Sequence, residues 1–143
     1  MVGTHRTGQT GRKAVEVQHV DVPSMFGAEL YSHAVRVGSL LFCSGMSARE
    51  PDGSVHAPGD PAEQARYCFE KLRRILAEAG CGFRDVVKVT TYVTDLKYRV
   101  PIAEVRRQYL EPPLPASTGV VVSSLSDPAL VFEIDAIAAI PSK

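Results

Sequence analysis

Alternation and helical spacing divide this chain into elements before any chemistry is considered. The stretch LPASTGVVVSSLSDPALVFEIDAIAAI, from Leu114 to Ile140, reads as two strands. Gly119–Ser124 carries three consecutive valines. Leu130–Ala139 alternates, with Leu130, Phe132, Ile134, Ala136 and Ala138 on one face. Val131, Glu133, Asp135 and Ile137 fall on the other, because strand side chains repeat with period two. Ser126-Asp127-Pro128 marks a turn between the strands. The second face therefore holds two carboxylates two residues apart among apolar neighbours, which suits a solvated sheet edge as well as a pocket.

Upstream, Ala14–Val22 reads as a short strand ended by Pro23, and Ser24–Ser32 as a loop presenting Tyr31. Ala34–Val37 and Leu40–Ser44 flank Gly38-Ser39, and glycine followed by a small polar residue predicts a type II′ hairpin. The second arm, LLFCS, is apolar enough for a strand buried on both faces. It runs into Ser44-Gly45, where glycine permits close approach to the backbone. Ala48–Gly59 is a polar loop of 12 residues, a length that suits a pocket or an interface.

Two helices are predicted. The first starts with Asp60 as N-cap, Pro61 at the first position and Glu63 completing a capping-box pattern. Ala65, Cys68, Phe69, Leu72, Ile75, Leu76 and Ala79 form its apolar face, and Gly80 ends it. Arg66, Glu70, Lys71, Arg73, Arg74 and Glu78 are read as its solvated side. After a strand at Val86–Thr94, Pro101 opens the second helix, with Ile102, Val105, Tyr109 and Leu110 on one stripe and Pro112-Pro113 as the stop. Strand–helix–strand units imply parallel crossovers and the hairpins are antiparallel. The expected fold class is therefore α+β: a two-layer domain with a mixed β-sheet and two helices packed on one face. Two helices leave the other sheet face bare, so a partner subunit is the expected cover.

Composition narrows the function. At 143 residues the chain suits one domain, here 14–143, behind a polar tail at 1–13 that is expected to be flexible. Sixteen basic and 16 acidic residues cancel, which argues against nucleic acid as a partner. No apolar run reaches the roughly 18 residues of a membrane span, and no signal-peptide core is visible. Cys43, Cys68 and Cys81 have no metal or redox spacing and read as plain thiols in a reducing, cytoplasmic setting. His33 and His56 lack ligand partners at useful spacing and are assigned to the surface, and no metal or cofactor is expected.

The series LYSHAV, LLFCSG, DPAEQARYCFEKLRRILAEAG, DVVKVTTYVTDL, PAST and FEIDAIA resembles the Rid family, the RidA-type reactive-intermediate imine deaminases also known as endoribonuclease L-PSP-like proteins. The resemblance spans about 30 to 138. It implies a chorismate-mutase-like fold and a homotrimer with helices outside, sheets at the centre and pockets between subunits. It also implies that Glu133 positions a water, with Tyr31 and Gly45 in the substrate pocket. Family members carry an arginine after Pro-Ala, where this chain has Ser117, and often a cysteine where it has Gly119. An asparagine and a tyrosine of the second helix correspond to Ala103 and Arg106.

The resulting expectation is a hydrolase or isomerase for a small imine, enamine or related carbonyl compound. Glu133 would be catalytic, and Tyr31, Gly45, Ser117, Thr118 and Gly119 would bind substrate. Little activity is expected on 2-iminopropionate, because a serine hydroxyl does not replace a guanidinium that grips a carboxylate. Arg36, Arg49 and Arg106 are candidates to replace it, and Asp135 is read as an ion-pair partner. The alternatives are a non-catalytic ligand-binding trimer and, against the balanced charge, a ribonuclease.

Overall fold

The computed structural model describes residues 2–7, 11 and 13–142. Seven strands form one mixed sheet: β1 Val2–Thr7, β2 Val15–Val20, β3 Ala34–Val37, β4 Leu40–Ser47, β5 Val86–Val93, β6 Ala116–Val121 and β7 Phe132–Ala139, in the order β1-β2-β3-β4-β7-β5-β6. The helices α1 (Pro61–Glu78) and α2 (Arg99–Arg106) complete the α+β architecture. β7 lies antiparallel between β4 and β5, and β6 runs parallel to β5 at the sheet edge.

The β3–β4 hairpin turns as its sequence dictates. Gly38 takes φ +60 while Ser39 keeps a negative φ, which is the type II′ requirement. Gly45 lies within a bulge between Cys43 and Met46 that lets the strand curl over β7. Asp60 caps α1 by accepting the Glu63 N–H at 3.1 Å. The capping box is half formed: the Glu63 carboxylate turns to His56 and Arg66, and the Asp60 N–H bonds Ala57 O. At the other end Gly80 (φ +76) completes a Schellman closure, with Cys81 N–H on Leu76 O and Gly80 N–H on Ala77 O.

One core sits between the helices and the inner sheet face, built around Phe69, Leu72, Ile75, Leu76, Phe132 and Ile134. β7 alternates as expected from Phe132 onward, with Phe132, Ile134, Ala136 and Ala138 buried inside and Glu133, Asp135 and Ile137 on the outer face. It starts two residues later than the expected Leu130, and Val131, expected on the outer face, is buried. β4 also alternates. Leu41 is buried while Leu40 and Phe42 are exposed at 41% and 43%, so this chain covers only one face of a strand expected to be buried on both.

Several expectations are corrected. The predicted tail contains β1, which pairs with β2 from Val2↔Val20 to Thr7↔Val15; 1, 8–10 and 12 lie outside the described residues. An edge strand uses its neighbour's free backbone groups and needs few apolar side chains, so composition does not reveal it. β6 runs from Ala116 to Val121, three residues ahead of the expected Gly119–Ser124 at each end, because its pairing with Lys88–Val93 sets its limits. Lys71 is buried, its Nζ donating to Ser47 O at 2.9 Å and Arg49 O at 3.3 Å. His33 is fully buried. No helix among the described residues is long and apolar enough to cross a membrane.

Candidate functional site

The outer face of β7 meets the β4 bulge and the 21–33 loop at one cleft. It is lined by Phe26, Leu30, Tyr31, Ser44, Gly45, Ser47, Arg49, Tyr92, Ser126, Glu133 and Asp135, with a volume of about 740 Å³. Glu133 sits at its floor, opposite Ser47 of β4 and Tyr92 of β5. Gly45 is what makes room for it: a Cβ there would stand 3.1 Å from both Cδ and Oε1 of Glu133. Burial, with Asp135 adding to it and Lys71 opposing it, raises the Glu133 pKa above the ordinary glutamate value. A carboxyl so tuned can accept and return a proton nearer neutrality than a solvated one.

Buried polar contacts hold the loop that brings Tyr31 into the cleft. His33 Nδ1 accepts the Val22 N–H at 2.9 Å, which makes its Nε2 the donor to Phe26 O at 3.0 Å. Ser44 N–H bonds His33 O, and Ser44 Oγ donates to Ser32 O at 2.6 Å, fastening the loop to β4. Burial and then Glu133 push the Tyr31 pKa up, against an opposing pull from Arg49, so its hydroxyl stays a donor. Gly27 (φ +103) is required here twice over: the left-handed backbone favours glycine, and any Cβ would overlap the Tyr31 ring. Gly27→Ala is expected to displace Tyr31. Stability should fall by about 1–3 kcal/mol, and the turnover proposed below at least about tenfold, read from urea unfolding and kinetics side by side.

Arg49 closes one wall of the cleft. It donates to Gly53 O at 2.8 Å and Ser126 Oγ at 3.2 Å, and its guanidinium lies 5.5 Å over Phe26. Beneath it, Lys71 holds the Ser47 and Arg49 carbonyls, and Glu50 accepts from Tyr67 and pairs with His56 at 2.8 Å. The 48–59 loop is thus tied to α1 and borders the cleft, as its length suggested. His56 bridges Glu50 and Glu63 rather than lying free on the surface. Asp135 accepts the Tyr92 hydroxyl at 2.8 Å in place of the expected cation.

The other predicted residues lie elsewhere. Ser117 and Gly119 point from β6 toward the helix side, into a second cleft with Thr91, Ile102, Ala103 and Arg106. Thr118 points to the opposite face, where its Oγ1 lies 2.7 Å from Lys88 Nζ. One chain therefore brings Tyr31, Gly45 and Glu133 together and keeps Ser117, Thr118 and Gly119 apart from them. Arg36 bonds Gly38 O beside a third cleft. Sequence reasoning missed Gly27, Ser44, Tyr92 and Ser126. Alternation puts Tyr92 on the Glu133 face, but only the β5–β7 register makes them neighbours. Burial pushes the Cys43 thiol up to about 12 and raises those of Cys68 and Cys81, which disfavours the thiolate at all three. No group of three or more His, Cys, Asp or Glu among the described residues could hold a metal ion.

An α+β sheet-and-helix layer with a tuned glutamate on its open face defines the class of protein, and comparison identifies the family. The model of the family described as endoribonuclease L-PSP matches residues 23–140. The RutC family protein YjgH of Escherichia coli is 37% identical over 122 residues, covering 84% of this chain and 90% of the relative. The 2-iminobutanoate/2-iminopropanoate deaminase of Rattus norvegicus is 34% identical over 116 residues, covering 81% and 82%. The crystal structure of RidA from an Antarctic Psychrobacter superposes with a TM-score of 0.76 at 31% identity, covering 86% of this chain and 99% of that one. The chain belongs to the Rid, or endoribonuclease L-PSP, family.

Proposed function

We propose that this protein hydrolyses a small imine, enamine or related carbonyl compound in a cleft built between two copies of a homotrimer. Protonated imine carbon is electrophilic. Water adds to it while the Glu133 carboxylate accepts the water proton. The carbinolamine nitrogen takes that proton back. As the C–N bond breaks and ammonia leaves, the Glu133 carboxylate takes the hydroxyl proton, which leaves a neutral carbonyl product; that proton then passes to the departing ammonia, released as ammonium. Tyr31 donates to the developing hydroxyl, and the Gly45 backbone bounds the space in which the water stands.

The single observation that carries this reading is Glu133: half-buried, raised in pKa, seated against Gly45 and sharing its cleft with Tyr31. The name of the rat relative as an imine deaminase supports the reaction type. The intersubunit placement is supported by the separation of the predicted residues into two clefts, and by the bare outer face with Leu40, Phe42 and Val120 exposed. A neighbouring copy that brings its β6 edge to the Glu133 face completes the site and covers that surface.

The experiment is a hydrolysis assay on imines generated in situ from leucine, methionine and alanine by an amino-acid oxidase. Acceleration on the larger imines with little on 2-iminopropionate is the expected result. A second reading, a ligand-binding trimer without turnover, is favoured by Ser117 standing where the family resemblance calls for arginine. Absence of acceleration on every imine, with binding of the matching 2-oxo acids retained, would establish that reading instead.

A further inference from the structure

We propose that Arg106 is the anionic-group anchor of this protein, and that the ligand it selects is a carboxylate bearing an apolar chain. This rests on the reading that the β6 edge forms half of the substrate cleft. Arg106 closes α2, and its Nη1 donates to Ser117 Oγ at 3.1 Å. The guanidinium thus arrives from the helix at the strand position where the chain itself offers only a hydroxyl.

Three observations separate Arg106 from the other arginines considered. Arg36 is turned to Gly38 O. Arg49 is committed to Gly53 O and Ser126 and stacked on Phe26. Arg106 has one hydrogen bond, to a neutral hydroxyl, and no acidic partner among the described residues. A guanidinium has five N–H donors, so at least one edge of its planar fork is open to a carboxylate. Arg106 is partly buried, which lowers its pKa without removing its charge, so bulk water screens it from a bound anion only in part. Ser117 extends the anchor: having accepted from Arg106, its hydroxyl can donate onward to the same anion.

The rest of the cleft sets the chain length. It encloses about 350 Å³, and Val93, Leu96, Ile102, Val121 and Phe132 supply its walls. Gly119 and Ala103 add no bulk beside Ser117. A two- or three-carbon acid would reach the guanidinium and leave the exposed part of that wall, Leu96 and Val121, wet. A branched or thioether chain would cover it, and each buried methylene strengthens binding roughly fourfold. The site therefore prefers imines derived from larger apolar amino acids.

The test uses stable 2-oxo acids as probes, titrated calorimetrically into the whole protein. Wild type binds 4-methyl-2-oxopentanoate at least tenfold tighter than pyruvate. Arg106→Gln weakens the branched acid about tenfold to hundredfold, and Arg106→Lys falls between. The neutral primary amide of the acid binds weakly and equally to wild type and Arg106→Gln. Circular dichroism of each variant reports folding, and Arg106→Lys keeps the test intact if Arg106→Gln unfolds. Unchanged affinity in Arg106→Gln, or no binding of either acid to wild type, overturns the anchor. Glu133→Gln should bind the acid as wild type does. If Glu133→Gln keeps full turnover while Arg106→Gln loses binding, the hydrolytic reading fails and the anchor stands.

Discussion

Glu133→Gln is expected to lower kcat for imine hydrolysis by about 10²–10⁴-fold, the usual contribution of one general acid–base group, with little change in substrate affinity. The fold should not suffer. The Glu133 pKa is raised in the folded protein, chiefly by burial and then by Asp135, so ionisation opposes folding. That penalty is fully present above the folded pKa, shrinks as pH falls through it, and vanishes below the unfolded value. The glutamine variant should therefore be at least as stable as wild type at pH 7, with the difference closing in acid. Wild-type kcat/KM should show an acid limb above the ordinary glutamate range, because the base works only when ionised. Thermal unfolding at two pH values and a pH–rate profile check both signs. A variant less stable than wild type at pH 7, or an acid limb at an ordinary carboxylate pKa, would remove the tuned base.

Phe42→Asp is expected to dissociate the proposed homotrimer and abolish the proposed hydrolysis without unfolding the chain. Phe42 projects from β4 on the outer face, paired with Val35 and Ile137 across the strands and away from the core. In an isolated chain an aspartate there is solvated and harmless. In a trimer the same carboxylate would be buried without a partner in every copy, costing several kcal/mol each. Sedimentation should show single chains of 15.5 kDa with unchanged far-ultraviolet circular dichroism. An intact trimer with normal turnover would show that this face is not the interface.

Much of the fold was legible because local signals agreed with tertiary ones. Asp60-Pro61 and Gly80 bound α1 where pattern and caps coincide, and the alternation of β7 sorts Phe132 from Glu133. What escaped depended on partners distant in sequence. β1 forms because β2 offers an edge, and β6 shifts because β5 dictates its register. Lys71 reads as a surface charge but finds two carbonyls of β4, and His33 finds Val22 and Phe26. Of the candidate cleft, Glu133, Tyr31 and Gly45 were named through the family resemblance, and the structure brings the three to one cleft. It was not legible in its division, because sequence order does not say that Ser117 and Glu133 project to opposite sides of one sheet. Nor does it show that Arg106, 11 residues before Ser117, points at that hydroxyl.

The central claim is that each working site takes Glu133 from one copy and the β6 edge from another. Subunit complementation tests it directly. Glu133→Gln and Gly119→Trp, the latter filling the cleft beside Ser117, should each be inactive alone. Refolded together in equal amounts, random trimers should regain about a quarter of wild-type activity, since every mixed trimer contains one interface with both halves intact. No recovery in trimers shown by mass to be mixed would contradict the account.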